Sequence, residues 1–304
     1  MPYEIDSLII GGGPAGLTAA IYCARFLLGT VVVDAGGGRA SRIPRTHNHA
    51  GYPGGIPGPD LLDRFRRQAI ENGAKIEGGR VTRLTAIESG FEAVTADRTY
   101  RARAVLLATG ITDRRPAMQD DLHDAALAAG LIRYCPICDG FEVLDRDVAI
   151  IGTGEHGGRE ATFLRSYSAT VTLIAPDGPH DLSDATRSEL TSSGIQLIDG
   201  PARDFAIDGA RLQVSTGLGV RAFEAIYPAL GAEIHSDLAV ALGAEARDGG
   251  CLIVDDHART SIPGLYAAGD VVLGLDQISG AMGQGALAAT SIRNDLADRS
   301  WRLR

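Results

Sequence analysis

Residues 5–34, IDSLIIGGGPAGLTAAIYCARFLLGTVVVD, decide the fold. Residues 7–10 read as a short apolar strand that runs into small and apolar residues recurring at helical spacing as far as Gly29, and residues 31–34 read as a second strand. Strand, glycine turn, helix and strand in that order make a βαβ unit. The same order returns in DVAIIGTGEHGGREATFLRSYSATVTLIA at residues 147–175, an internal duplication of topology.

Outward from these two units, residues 59–72 read as an amphipathic helix with Leu61, Leu62, Phe65, Ala69 and Ile70 on one side. Residues 80–108 alternate as a small meander that ends in an apolar run, residues 195–228 read as a second meander, and residues 281–297 as a final helix. The economical architecture is α/β, with two Rossmann-like dinucleotide-binding domains of the three-layer ββα type, the second inserted into the first. Residues 1–113 and 232–304 then form the first domain, and residues 114–231 the second.

In Gly11-x-Gly13-x-x-Gly16 the first glycine permits a tight turn, the second lets backbone approach a pyrophosphate, and the third lets helix pack close to strand. The helix N-terminal amides are left aimed at the anion. Asp34 ends the next strand 18 residues after Gly16, placed to accept hydrogen bonds from a ribose. Gly152-x-Gly154-x-x-Gly157 repeats the turn, but the residue 18 positions after Gly157 is Ala175, followed by Pro176 and Asp177, with no arginine at the strand end to hold a 2′-phosphate. Glu155 and His156 also stand where the helix N-terminus would meet a phosphate, and a carboxylate there competes with the ligand. Two readings of Gly152, Gly154 and Gly157 stay open: a nicotinamide nucleotide site better suited to NADH than NADPH, or a retained fold whose site has decayed or been repurposed.

With 39 glycines in 304 residues, 29 Lys and Arg against 38 Asp and Glu, and a net charge of −9, the chain has an ordinary globular composition rich in tight turns. That balance argues against wrapping nucleic acid, which needs a clustered basic face. No apolar run approaches the ~18 residues a membrane span requires, and residues 1–6 carry no basic leader, so a cytoplasmic protein is expected. Arg64, Arg66 and Arg67 read as a solvated helix face, the other reading being a dock for an acidic electron carrier.

Four cysteines do not staple a chain of 304 residues. Cys23 in the first helix and Cys251 in a strand-like stretch read as buried apolar residues. Cys135-Pro-Ile-Cys138 reads as a redox pair, because two thiols so spaced close a small disulfide ring. Asp139 adjoins the second sulfur and is suited to pass a proton to a leaving thiolate, the alternative being a turn-forming Asp-Gly. No second CxxC completes a zinc set, and His47 and His49 have no neighbouring ligands, so no metal is expected.

Together GGGPAGLTAA (11–20), HNHAGYPGGIPGPDLL (47–62), ATG (Ala108, Thr109, Gly110), YCPICDGFE (134–142), IPGLYAAGD (262–270) and DQISGAMGQGALAA (276–289) resemble the low-molecular-weight thioredoxin reductases over almost the whole chain. The resemblance implies FAD on the first domain, held by Gly11, Gly13, Pro14, Ala15, Gly16, Asp34, Ala108, Thr109, Gly110 and Gly269. It also implies Asn48 near the flavin, Asp270 at the ribityl or pyrophosphate region, and Gln277 and Ile278 facing the isoalloxazine. By the same resemblance Cys138 faces the flavin, Cys135 attacks the substrate disulfide and Asp139 is the general acid, in a homodimer whose second domain rotates.

Two departures concern the electron donor. Where the family carries a basic segment for the 2′-phosphate, this chain reads APDGPHD at residues 175–181, and the arginine before the C-terminal glutamine is Asp276. The expectation is an FAD-dependent dithiol/disulfide oxidoreductase that reduces a thioredoxin-like protein through Cys135 and Cys138, fed by an atypical donor, NADH or a ferredoxin-like protein. One alternative is an oxygen-dependent oxidase of a small dithiol, which ATGITD at residues 108–113 also resembles; another is a non-catalytic flavin-binding module. Trp301 is expected to pack the last helix against its domain, or else to cover the flavin.

Overall fold

The computed structural model describes residues 5–247 and 249–299. The chain opens with β1 (Ile5–Ile10), α1 (Pro14–Arg25) and β2 (Thr30–Asp34), and continues through α2 (Gly58–Glu71), β3 (Lys75–Gly78) and the strands β4 (Arg83–Ile87), β5 (Gly90–Val94) and β6 (Thr99–Leu107). Proline at the first helical position starts α1, where its missing N–H costs nothing.

A second compact unit, 46–48 with 113–232, is entered through the short strand β7 (Ile111–Asp113). It contains α3 (Asp120–Ala128), α4 (Pro136–Asp139), β8 (Val148–Ile151), α5 (Gly154–Leu164), β9 (Val171–Ile174), α6 (Asp184–Ser192), β10 (Gln196–Ile198), β11 (Arg203–Asp208), β12 (Arg211–Thr216), β13 (Gly219–Phe223) and β14 (Ala225–Pro228). The chain leaves through β15 (Ala232–Ile234) and returns to the first unit with α7 (Asp237–Val240), β16 (Leu265–Ala267) and α8 (Ile278–Arg299).

In the first unit the sheet order is β3-β2-β1-β6-β5-β4, with β16 pairing the second half of β6. β1, β2, β3, β6 and β16 run parallel; β4 and β5 are antiparallel. The apolar runs of the parallel strands are continuous because both faces are covered. Ile9, Val32 and Leu106 pack under α1 and α8, whereas Leu8, Ile10, Val31, Val105 and Leu107 face the layer built with Leu84, Phe91 and Tyr100. The second unit repeats the plan with the parallel sheet β10-β9-β8-β14. Val148, Ile150, Val171 and Leu173 meet α5 and α6, while Ala149, Ile151 and Ile174 meet the meander through Phe205, Leu212, Val214 and Phe223. Sheet between helices and meander is the three-layer ββα plan.

Four local expectations are corrected. β10 and β14 belong to the parallel sheet, so the second meander is only β11 to β13. The last helix begins at Ile278, three residues before Ala281. Its glycines cost about 1 kcal/mol each in helix propensity, but a side chain at Gly285 would overlap the Ala15 carbonyl, so glycine is what lets α8 lie on α1. Cys251 is half-buried and outside any strand, flanked by an isolated bridge at Leu252, whereas Cys23 is fully buried and its thiol is pushed up to about 12 by burial. Arg66 and Arg64 do not form a merely solvated face: Arg66 pairs with Asp34 at 3.0 Å, and the Arg64 guanidinium lies 5.6 Å over the Tyr52 ring.

Candidate active site

The first glycine turn is shaped for an anion. Gly11 holds φ +112°, and a Cβ on it would overlap the Ala108 carbonyl oxygen, so Ala108-Thr109-Gly110 lies directly behind the turn. A Cβ on Gly16 would overlap the Gly11 carbonyl, which is the close strand-to-helix packing expected of the third glycine. A Cβ on Gly13 would meet no atom within 4 Å, leaving an open cradle at the place where a pyrophosphate approaches. The N-terminus of α1 has no side-chain cap and no acidic residue in its first turn, so its amides are unclaimed by side chains. Asp34 accepts from the Gly12 amide at 3.1 Å, the Gly36 amide at 3.2 Å and Arg66 Nη2 at 3.0 Å, which fixes the carboxylate at the strand end. These residues fit FAD: Gly11 to Gly16 for its pyrophosphate and Asp34 for its ribose.

The C-terminal motif meets the same helix. A Cβ on Gly269 would lie 3.0 Å from that of Ala15, and the Gly269 amide donates to Gln284 Oε1 at 2.7 Å. Asp270 accepts from Arg39 Nη1 at 3.3 Å, and the same Arg39 nitrogen is 3.7 Å from Asp276. The Gln277 carbonyl accepts the Ala281 amide at 2.9 Å, so Gln277 caps α8 and Ile278 opens it. Thr109 Oγ1 donates to the His235 carbonyl at 2.6 Å. Asn48 groups with the second unit, where its Oδ1 accepts from Thr46 Oγ1 at 3.0 Å.

In the second unit Cys135 and Cys138 are joined in a disulfide at the start of α4. Cys135 is the N-cap, its sulfur accepting the Cys138 amide at 3.2 Å. The Asp139 carboxylate is held on both oxygens: Arg133 Nη1 donates to Oδ2 at 2.8 Å and Tyr227 Oη donates to Oδ1 at 2.9 Å. Burial pushes this carboxyl above its ordinary range, against the Arg133 charge and the hydrogen bonds from Arg133 and Tyr227, which pull it down. Burial and the neighbouring Asp139 charge push the Tyr227 hydroxyl far up, so it serves as a donor. Gly140 has an ordinary helical φ of −60°, so no special turn requires glycine there; a Cβ would lie 2.9 Å from the Tyr167 ring.

Sequence reasoning missed Arg133, Tyr227 and the chain His123–Tyr134. Tyr227 lies 88 positions from Asp139 with no local signal, whereas Arg133, six residues upstream, was available as a lone buried-side cation beside the dithiol. His123 is buried between Asp124 at 3.0 Å and Tyr134 Oη at 2.7 Å, which ties α3 to the residue preceding Cys135.

At the second glycine turn Gly152 and Gly157 are packed against each other, as their counterparts are. Ala175 is fully buried, and Glu155 in the first turn of α5 pairs with Arg159 at 3.2 Å. His156 lies 3.4 Å from Glu160. Among the described residues no cluster of three His, Cys, Asp or Glu is placed to hold a metal, and no helix is long and apolar enough to cross a membrane. Trp301 lies outside the described residues.

The profile of the family described as pyridine nucleotide-disulphide oxidoreductase matches residues 5–285. A thioredoxin reductase from Listeria monocytogenes is 33% identical over 93% of this chain and 91% of its own. A bifunctional thioredoxin reductase/thioredoxin from Mycobacterium leprae is 32% identical over 97% of this chain and 66% of its own. Among solved structures, a thioredoxin reductase from Streptococcus pyogenes superposes with a TM-score of 0.89 at 27% identity, covering 97% of this chain and 98% of the other.

Proposed function

This chain belongs to the thioredoxin reductases of the pyridine nucleotide-disulphide oxidoreductase family, enzymes that bind FAD and NADPH, and on that premise we propose that it reduces the disulfide of a thioredoxin-like protein, drawing electrons from a donor other than NADPH. The observation that carries the reading is the Cys135–Cys138 disulfide with the buried Asp139 carboxyl beside it. FAD, when bound at Gly11 to Gly16 and Asp34, supplies the electron pair that opens the disulfide.

From the dithiol onward the chemistry belongs to this chain. The Cys135 thiolate attacks one sulfur of the substrate disulfide, forming a mixed disulfide and expelling the other substrate sulfur as a thiolate. Cys138 then attacks Cys135, which restores the Cys135–Cys138 disulfide and releases the second substrate thiolate, so two electrons leave as the substrate becomes a dithiol. Asp139 is the group we assign to pass a proton to a leaving sulfur, since burial makes its carboxyl easier to protonate than an exposed one. A protein substrate is favoured over a small one by the surface around the dithiol. Ile137, Phe141 and Leu144 are 54%, 73% and 52% exposed, an apolar collar on which a partner can seat. The relative that joins a reductase and a thioredoxin in one chain supports the same partner class.

A ferredoxin-like protein is the donor we favour, since the strand end at Ala175 offers neither a ribose-binding acid nor a 2′-phosphate arginine. Anaerobic titration with NADPH, then NADH, then a reduced ferredoxin, followed by flavin absorbance against dithionite, tests it. Bleaching by the ferredoxin alone is expected. Rapid stoichiometric bleaching by NADPH would refute the donor, and failure of the reduced protein to open a thioredoxin disulfide would refute the substrate.

A further inference from the structure

We propose that residues 176–182 are a strap that excludes pyridine nucleotides, laid by the chain itself across the second glycine turn. The segment leaves β9 and is fastened along its length. The Pro176 carbonyl accepts the Ala202 amide at 2.9 Å and the Gly178 carbonyl accepts the Gly200 amide at 2.7 Å. The His180 amide donates to Asp199 Oδ1 at 2.9 Å, and its ring Nε2 donates to the Leu173 carbonyl at 3.1 Å. The Asp181 amide donates to Thr153 Oγ1 at 2.7 Å, inside the glycine turn itself. Ser183 then caps α6, its Oγ accepting the Thr186 amide at 3.1 Å.

The first unit carries the same glycine spacing, with its second glycine at φ −80° where Gly154 holds +62°, and its turn is open. There the second glycine, Gly13, has no atom within 4 Å of an added Cβ, and the loop after the strand, Gly36 to Gly38, is equally clear. Here the second glycine, Gly154, has the Asp181 carbonyl oxygen 3.6 Å from that position. The pyrophosphate of a dinucleotide passes over the second glycine, so at Gly154 it would meet a backbone carbonyl, an acceptor facing an anion. Glu155 adds a carboxylate at the same helix end. The ring of His180, itself part of the strap, is buried and donates through Nε2 to the Leu173 carbonyl, and burial makes it harder to protonate, so it offers the anion little positive charge.

This inference rests on the proposed function only in treating the second unit as a dinucleotide-type fold; the donor is a separate matter. The test is calorimetric titration of the full FAD-loaded chain with NADPH and with NADH to about 1 mM, beside the variant Thr153→Ala/Asp199→Ala. That variant loses two fastenings, which raises the open population by about thirtyfold. The wild type is expected to show no saturable binding and the variant to bind at least one nucleotide no less than tenfold more tightly. Saturable micromolar binding by the wild type overturns the strap. So does a folded variant that still binds nothing, because the missing acid at Ala175 would then suffice. Should the variant fail to fold, hydrogen exchange on the wild type decides: slow exchange at His180, Asp181, Gly200 and Ala202, at least about a hundredfold below free chain, supports the strap, and free exchange overturns it. Reduction of flavin and disulfide by dithionite reports on the dithiol chemistry alone, so its failure is distinguishable from failure of the strap.

Discussion

Replacing Arg133 by Gln tests whether Asp139 is an acid whose proton is set by its neighbours. The guanidinium and carboxylate are 2.8 Å apart through Nη1 and Oδ2, with side chains only 17% and 24% exposed, so solvent screens them weakly. Two unit charges with centres about 4 Å apart attract by roughly 4 kcal/mol at an effective dielectric near 20. Water entering the space left by Arg133 returns about half of that, leaving a net effect on the order of 2 kcal/mol. Since 1.4 kcal/mol is tenfold, the Asp139 carboxyl of Arg133→Gln becomes about thirtyfold easier to protonate. The direction adds to the upward push of burial already present. The assay is single-turnover reduction of an aromatic disulfide by dithionite-reduced protein, followed from pH 5 to 10 with correction for thiolate ionisation. The limb on which rate is lost as Asp139 ionises should move to higher pH by more than one unit. Arg133→Lys should restore most of the wild-type profile, Tyr227→Phe should move the limb the same way by less, and Asp139→Asn should abolish it. A profile for Arg133→Gln that superposes on the wild type, or moves to lower pH, would refute the reasoning.

Changing Cys135 or Cys138 to Ser should lower disulfide reduction by at least about a thousandfold with the flavin spectrum retained; unchanged turnover in both variants would return the non-catalytic module to favour. Gly11→Ala should yield protein purified without flavin, because a methyl group at φ +112° overlaps the Ala108 carbonyl, and a yellow, fully loaded variant would contradict the turn geometry. Burial chiefly pushes the His180 ring below the ordinary histidine value of 6.5, despite the Leu173 carbonyl and Asp199. Its folded form therefore resists the proton that the unfolded chain takes up, so stability is constant above that value and falls as pH drops below it, by at most about 1.4 kcal/mol per unit. His180→Gln should flatten the fall in melting temperature between pH 7 and 5; an equal fall in both proteins would exclude His180 as its source.

What could be read in the sequence was what neighbouring residues determine. The glycine turns, Asp34 and Ala175 are local: a strand of four or five apolar residues, a turn at fixed spacing and a helix announce themselves within 30 positions. The dithiol and its acid lie within five residues, Cys135 to Asp139. What escaped depends on contacts between distant segments. Arg39 reaches Asp270 across 231 positions, and Tyr227 reaches Asp139 across 88. The basic cluster on α2 was legible as charge but not as pairing, since nothing near Arg66 points to Asp34, 32 positions earlier. The second turn shows the limit most clearly, because APDGPHD reveals which ligand-binding side chains are missing but not that its backbone folds back over Gly154.

The position of the second unit within the chain also orders the protein's birth. The first unit takes β1 and β6 from before residue 113 but β16 and α8 from after residue 232. Until α8 emerges, the flank of α1 that receives it at Ala15, Ala19 and Cys23 has no cover, and Gly269 and Asp270 do not exist. The 120 residues 113–232 intervene, which at ribosomal speeds of about 5–20 residues per second is a delay of roughly 6–24 s. All the residues of the second unit are therefore synthesised before the last strand and helix of the first, and the surface that Gly269 and Asp270 contribute is the last part of the glycine-turn site to be made.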